Sequence, residues 1–206
     1  MNGSKSPNDT SQTFTVPPQY PALRNGRIQL VAGDAVKRDA LHSLIRQSSQ
    51  NFEWRGLGSG VSAAAIDRAL SDRVLCQFVV IASADREMVG LVQFVAADYV
   101  HGTVGITLLF HPEYRSRGWP IEASVLAANY VFVAYPLRKL VAEVPELNDS
   151  TFGAGLGRLM RRDAVLPSHE WHVGDYRSVA LYSIDRNQFN ESEIMQSIVG
   201  NASDGS

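Results

Sequence analysis

The chain has 206 residues, 45% of them apolar, which fits one ordinary domain with a sizeable core and loose ends. Nineteen Lys and Arg against twenty-one Asp and Glu leave a formal charge of −2, so no global positive field draws it onto nucleic acid or anionic lipid. No apolar stretch approaches the ~18 to 20 residues that span a bilayer, and the amino terminus shows no signal-peptide core, so a soluble, cytoplasmic protein without membrane partners is expected.

Residues 1–23 are rich in Ser, Asn, Thr and Pro and show no apolar period, which reads as a disordered or surface-draped arm. The folded body is expected over 24–189, with 190–206 a polar tail. Residues 27–31 alternate as a strand should, and Asp34 is placed to cap a helix whose Val36, Ala40, Leu41, Leu44 and Ile45 share one face. After a loop at 51–58, Ser62 is placed to cap a second helix carrying Ala65, Ile66, Ala69 and Leu70. Strand-like runs follow at 74–82, 87–96 and 103–110, with Asp85-Arg86 and His101-Gly102 as turns, which predicts an antiparallel meander. Cys76 is the single cysteine, which excludes an internal disulfide or thiolate metal cluster, and within the first of these runs it reads as a buried thiol.

A helix is predicted to open at Pro120, with Ile121, Val125, Ala128, Phe132 and Tyr135 forming one buried stripe. Residues 139–144 form the next strand. The stretch 150–162 is a helix candidate weakened by Gly153, Gly155 and Gly157, and strands at 170–173 and 178–184 close the domain. In the tail, Ile194, Met195, Ile198 and Val199 make a weak apolar patch, read as a frayed end in preference to a short docked helix. The element order is β α α β β β α β α β β.

The junction of residues 108–120 joins a buried strand to a helix through a basic, Gly-containing loop. Helix amino termini carry unpaired N–H groups and partial positive charge, so this turn is either a cradle for a phosphate or diphosphate or a solvated Arg-rich turn. Its segment His111-Pro-Glu-Tyr-Arg-Ser-Arg-Gly-Trp-Pro-Ile-Glu-Ala123 resembles the acyl-coenzyme A loop of the GCN5-related N-acetyltransferases, with pattern Gln/Arg-x-x-Gly-x-Gly/Ala. Arg115, Gly118 and Pro120 fall on the patterned positions, and Glu122-Ala123 matches what often follows in the branch that acetylates ribosomal-protein amino termini. The segments Arg138-Lys-Leu-Val-Ala-Glu-Val-Pro-Glu-Leu-Asn148 and Gly174-Asp-Tyr-Arg-Ser-Val-Ala-Leu-Tyr-Ser-Ile184 are similar to that branch's fifth and last strands. The resemblance spans residues 27–186. It implies a mixed α/β fold: a mostly antiparallel twisted sheet of about seven strands, splayed between the fourth and fifth, with about four helices.

The resemblance further implies an N-acyltransferase using acetyl-coenzyme A or another acyl-coenzyme A, with direct attack by the amine of a protein amino terminus or small metabolite. The donor would lie along Leu108, Leu109 and Phe110, meet Arg115, Ser116, Arg117, Gly118, Trp119 and Pro120 at its phosphate end, and reach Asn148. Asn148 and Thr151 are expected near the reacting thioester, Thr151 alternatively capping the helix near Ser150. Glu53 and Trp54 are expected to line the acceptor pocket, Glu53 as a candidate base, with Glu143 and Glu146 flanking the splay. The sequence departs from the pattern at five points, two of them being Thr151 in place of the family's Ser and the absence of the Gly-Phe pair that usually ends the helix after Asn148. Pro120 has no N–H to donate. Ser116 replaces a usual Gly, and Gly155 stands where many relatives carry a Tyr acid.

His101 and His111 read as structural. His169 and His172 would point to opposite faces of a strand, so no metal site is expected. Two alternatives to the coenzyme A enzyme follow: a transferase taking its acyl group from aminoacyl- or acyl-tRNA, with Arg115, Arg117, Arg158, Arg161 and Arg162 as a basic patch, or a non-catalytic binding module. A monomer or a homodimer is compatible with the sequence.

Overall fold

The computed structural model describes residues 23–48, 55, 60–116, 118–154, 156–172 and 174–203. Seven strands form one sheet: β1 (Ile28–Ala32), β2 (Val74–Ala82), β3 (Met88–Asp98), β4 (Thr103–Phe110), β5 (Lys139–Pro145), β6 (Arg161–His172) and β7 (Asp175–Asp185). Their spatial order is β1-β2-β3-β4-β5-β7-β6, and every pairing is antiparallel except β4 with β5. Among the described residues six helices accompany them: α1 (Arg38–Ser48), α2 (Ala63–Ser71), α3 (Trp119–Ala134), α4 (Glu146–Ala154), α5 (Arg186–Glu191) and α6 (Glu193–Ser203). No described helix is long and apolar enough to cross a membrane.

Side-chain alternation divides the core in two. On one face Val79, Leu91 and Leu109 meet Leu41, Leu44 and Ile45 of α1 and Ile66 of α2. On the other, Phe78, Val80, Val92, Phe94, Phe110, Ala142 and Val144 pack with Val125, Leu126 and Phe132 of α3 and with Phe189 of α5. The interior strand β3 is covered on both sides, so its residues from Val89 to Phe94 are all buried. At Gly90 a Cβ would come within 2.6 Å of the Phe110 ring and 2.9 Å of the Leu109 carbonyl oxygen. Glycine there lets the aromatic ring at the end of β4 lie across its neighbour.

Several elements differ from expectation for identifiable reasons. Asp34 sits inside a 3-10 turn at Gly33–Ala35 and caps nothing; α1 starts three residues after that turn, with the Lys37 carbonyl accepting from Ala40 and Leu41. Ser62 does cap α2, its Oγ accepting from the Ala65 N–H at 3.2 Å. Pro120 is the second residue of α3, after Trp119, and the helix has no single stripe: Ala123 to Ala128 are all buried, because α3 lies between the sheet and α6. The helix expected at 150–162 divides into the end of α4, a 3-10 turn at Leu156–Arg158 and the first residues of β6. Residues 186–191 and 193–203 are helical: α6 docks on α3, with Ile194, Met195, Ile198 and Val199 against the core.

Cys76 packs half-buried in β2, and burial pushes its thiol pKa up to about 12. At pH 8 the thiolate fraction in the folded protein is therefore on the order of 10⁻⁴, against roughly a quarter for an ordinary thiol. Iodoacetamide at pH 8 should leave Cys76 unmodified in the native protein and alkylate it in urea, as counted by mass spectrometry. Equal rates in both states would contradict this burial.

Candidate active site

The parallel pair β4 and β5 is hydrogen-bonded over three positions only: Thr103 with Lys139, Val104 with Leu140 and Gly105 with Val141. Past Gly105 the strands part. Residues 106–110 keep their β3 partners but have none on the β5 side, so ladder groups of every second residue face the gap. A cavity of about 630 Å³ occupies this wedge. It is walled by Ile106 to Phe110 of β4, Ala142 to Pro145 of β5, Gly118, Pro120 and Ile121 at the start of α3, and Asn148, Phe152 and Leu156 around α4.

Strand parity gives the gap two chemically different sides. Ile106, Leu108, Phe110, Ala142 and Val144 belong to the apolar face that carries α3, with Phe152 packed against it. Thr107 and Glu143, between them in sequence, therefore project toward the opposite face, where α1 and α2 lie. Glu143 is exposed, and it is the one carboxylate among the described residues lining the cavity. The wedge is thus apolar on the α3 face and bears Thr107 and Glu143 on the other.

The α3 end of the slot is built by the β4–α3 connection. A 3-10 turn at Pro112–Tyr114 buries Tyr114, whose ring stacks on Trp119 at 4.9 Å and whose hydroxyl donates to Glu87 Oε2 at 2.9 Å. Arg115 Nε donates to the Phe110 carbonyl at 3.1 Å and closes the loop back on the strand it left. Gly118, with φ +77°, makes the left-handed step into α3, and its carbonyl accepts from Ile121 and Glu122.

Of the residues expected at the donor, Leu108, Leu109, Phe110, Arg115, Ser116, Gly118, Pro120 and Asn148 line this one cavity. Trp119 does not: its stacking on Tyr114 turns it into a support of the loop. Glu53, Trp54 and Arg117 lie outside the described residues, as does Gly155. Thr151 has its backbone in the body of α4, which begins at Glu146, so it cannot cap a helix start; its side chain lies outside the described set.

Two lining or supporting groups escaped the sequence. Phe152 forms a wall of the cavity and packs on Tyr182 at 4.7 Å. Tyr182, buried in β7, donates its hydroxyl to Asp149 Oδ1 at 2.8 Å, and Arg162 reaches Asp149 Oδ2 at 2.9 Å. Burial, then the hydrogen bond to Asp149, raise the Tyr182 phenol above its ordinary range. Its proton is committed to Asp149, so Tyr182 braces α4 against the sheet. Alternation in β7 was the only signal for it. Two members of the basic patch expected for tRNA are paired with carboxylates: Arg161 with Asp163 at 2.7 Å and Arg162 with Asp149. His101 Nδ1 meets Asp98 Oδ2 at 2.7 Å in the β3–β4 turn.

This strand order, with a parallel central pair parted above the start of a helix, is the fold of the GCN5-related N-acetyltransferases. The spermidine N-acetyltransferase of Vibrio cholerae in complex with coenzyme A and spermine superposes with a TM-score of 0.68 at 17% identity, over 81% of this chain and 100% of that one. A GCN5-related N-acetyltransferase from Brucella melitensis gives 0.68 at 20% identity, over 88% of this chain and 85% of that one. A GNAT-family acetyltransferase from Bacillus anthracis gives 0.65 at 18% identity, over 80% and 98%. No protein-family model matches the chain, and no curated protein sequence does.

Proposed function

We propose that the chain is an N-acyltransferase that moves an acetyl or other acyl group from acyl-coenzyme A to a primary amine, on a protein amino terminus or a small metabolite. The observation that carries this reading is the slot between β4 and β5, apolar on the α3 face, acidic on the other, and ending at a left-handed glycine beside Arg115. A pantetheine arm suits the apolar walls, and gap-facing amides of β4 suit a thioester carbonyl gaining negative charge. Arg115 and the amides entering α3 suit the diphosphate, charge-assisted pairing offsetting the N–H that Pro120 lacks. The Vibrio cholerae protein, crystallised with coenzyme A and spermine, supports the same pairing of a thiol-bearing donor with an amine.

The chemistry asked of the protein is juxtaposition and proton handling. The amine nitrogen attacks the thioester carbonyl carbon, the C–N bond forms, the C–S bond breaks, and the thiolate leaves. Glu143, on the acceptor side of the slot, takes the proton that the ammonium loses before attack; the proton that the nitrogen sheds as the amide forms passes to solvent, and the thiolate is protonated from solvent. Asn148, half-buried at the slot, would hold the donor by hydrogen bonding.

Calorimetric titration with coenzyme A tests this directly. Saturable binding with micromolar Kd, weakened at least tenfold for pantetheine because the diphosphate is gone, is the expected result. Absence of heat with coenzyme A, together with a nucleic-acid absorbance ratio and co-purifying tRNA, would transfer the reading to a tRNA-borne donor.

A further inference from the structure

Glu122 stands in the first turn of α3, at the phosphate-facing end of the slot, with its side chain 16% exposed. A carboxylate there favours the helix through the dipole, yet it occupies the same turn that an incoming diphosphate must approach. The chain answers with a clip from the residues just before β1. Arg27 presents one edge of its guanidinium side-on, Nε donating to Glu122 Oε2 at 3.3 Å and Nη2 to Oε1, while Asn25 Nδ2 donates to Oε2 at 2.9 Å. Asn25 is itself fixed, its Oδ1 accepting from the Arg27 and Ile28 amides at 2.9 Å. The same Arg27 Nη2 lies 3.6 Å from where a Cβ on Gly118 would stand. One guanidinium thus spans the acidic first turn of α3 and the left-handed glycine that begins it.

We infer that Arg27 is a positioning residue for the donor: it cancels the Glu122 charge at the diphosphate end and fixes the Gly118 turn that presents the loop amides. This rests on the acyl-coenzyme A reading and adds to it a residue from the opposite edge of the sheet. Nothing in the loop pattern indicates Arg27, since it lies 91 positions before Gly118. Side-on Arg–carboxylate pairing is geometrically demanding, so Lys is a poor substitute at this position.

The test is calorimetry on the full chain with three probes: coenzyme A, dephospho-coenzyme A and pantetheine. Arg27→Ala should weaken coenzyme A and dephospho-coenzyme A about tenfold at low salt, with less loss in 0.5 M salt, and should leave pantetheine within about twofold, because only the first two carry the diphosphate. Glu122→Gln should bind coenzyme A at least as tightly as the wild type. The double variant should recover to within about threefold of it, since the uncompensated carboxylate is then absent. A purely structural clip would predict the reverse: loss in Glu122→Gln, no rescue in the double variant, and equal loss for pantetheine. Any of these overturns the inference, as does wild-type-like binding in Arg27→Ala. Failure of the wild type to bind coenzyme A would overturn the underlying reading, and this inference with it.

Discussion

Glu143→Gln should lower kcat by about a hundredfold or more while leaving coenzyme A affinity within about twofold. The amide keeps the size and polarity of the side chain but cannot take a proton, and a positioned general base is worth roughly 10² to 10⁴ in rate. The position follows from parity: Ala142 and Val144 are buried on the α3 face, so Glu143 faces the other way, across the slot from β4. Its exposure leaves a route for the proton to bulk water. Glu143→Asp, which withdraws the carboxylate by one methylene, should retain more activity than the amide. Free thiol released from acetyl-coenzyme A in the presence of an amine acceptor measures all three proteins. Activity of Glu143→Gln within about threefold of wild type would remove Glu143 from the chemistry and return the base to the loop between α1 and α2.

The strands and helices whose pattern answers to a single environment were legible. β2, β4 and β5 begin and end within a residue of where alternation placed them, and the Ser62 cap fixed the start of α2. Elements facing two environments, or none, were not. In α3, cover on both sides erases amphipathicity. In β6, an edge strand exposed along most of its length, no buried face imposes a period, so its first residues read as the end of a helix. Of the glycines that weakened that helix, Gly157 is the closely packed one among the described residues. A Cβ at Gly157 would sit 3.5 Å from the Tyr182 ring and 3.3 Å from the Phe152 carbonyl, and one at Gly153 would lie 4.0 Å from the Tyr182 hydroxyl.

The site shows the same division. Apart from Asn148, the residues expected at the donor lie in one continuous stretch, 108–120, whose resemblance could be recognised. The Asp149–Tyr182–Arg162 brace and the Arg27–Glu122 clip join residues 13 to 95 positions apart, through register that no local pattern encodes. Glu143 was visible as a residue but not as a direction, because only the parting of β4 and β5 turns its face into a wall of the cavity.

Phe189→Ala should cost about 3 to 5 kcal/mol of unfolding free energy, the usual range for truncating a fully buried aromatic side chain. Phe189 has no exposed surface, and its ring lies 5.3 Å from Phe132 of α3. It is also the anchor of two helices that could not persist alone, since α5 has six residues and α6 eleven. Around it the capping box of Asp185 and Gln188 starts α5, and Arg186 donates to the Tyr135 carbonyl at 2.7 Å and to that of Leu137. Those polar contacts survive the substitution, so the loss is one of packing, and Phe189→Leu should recover most of it. At roughly 2 to 4 °C per kcal/mol for a chain of this size, the melting temperature should fall by about 6 to 20 °C. Urea denaturation gives the free energy, and a loss below about 1 kcal/mol would mean that α5 and α6 contribute little to the core. Coenzyme A binding below the new midpoint should be nearly unchanged. α3 is about 24 Å long at 1.5 Å per residue, and Phe132 sits near the end opposite Gly118, so the cavity and the void are separated by most of a helix.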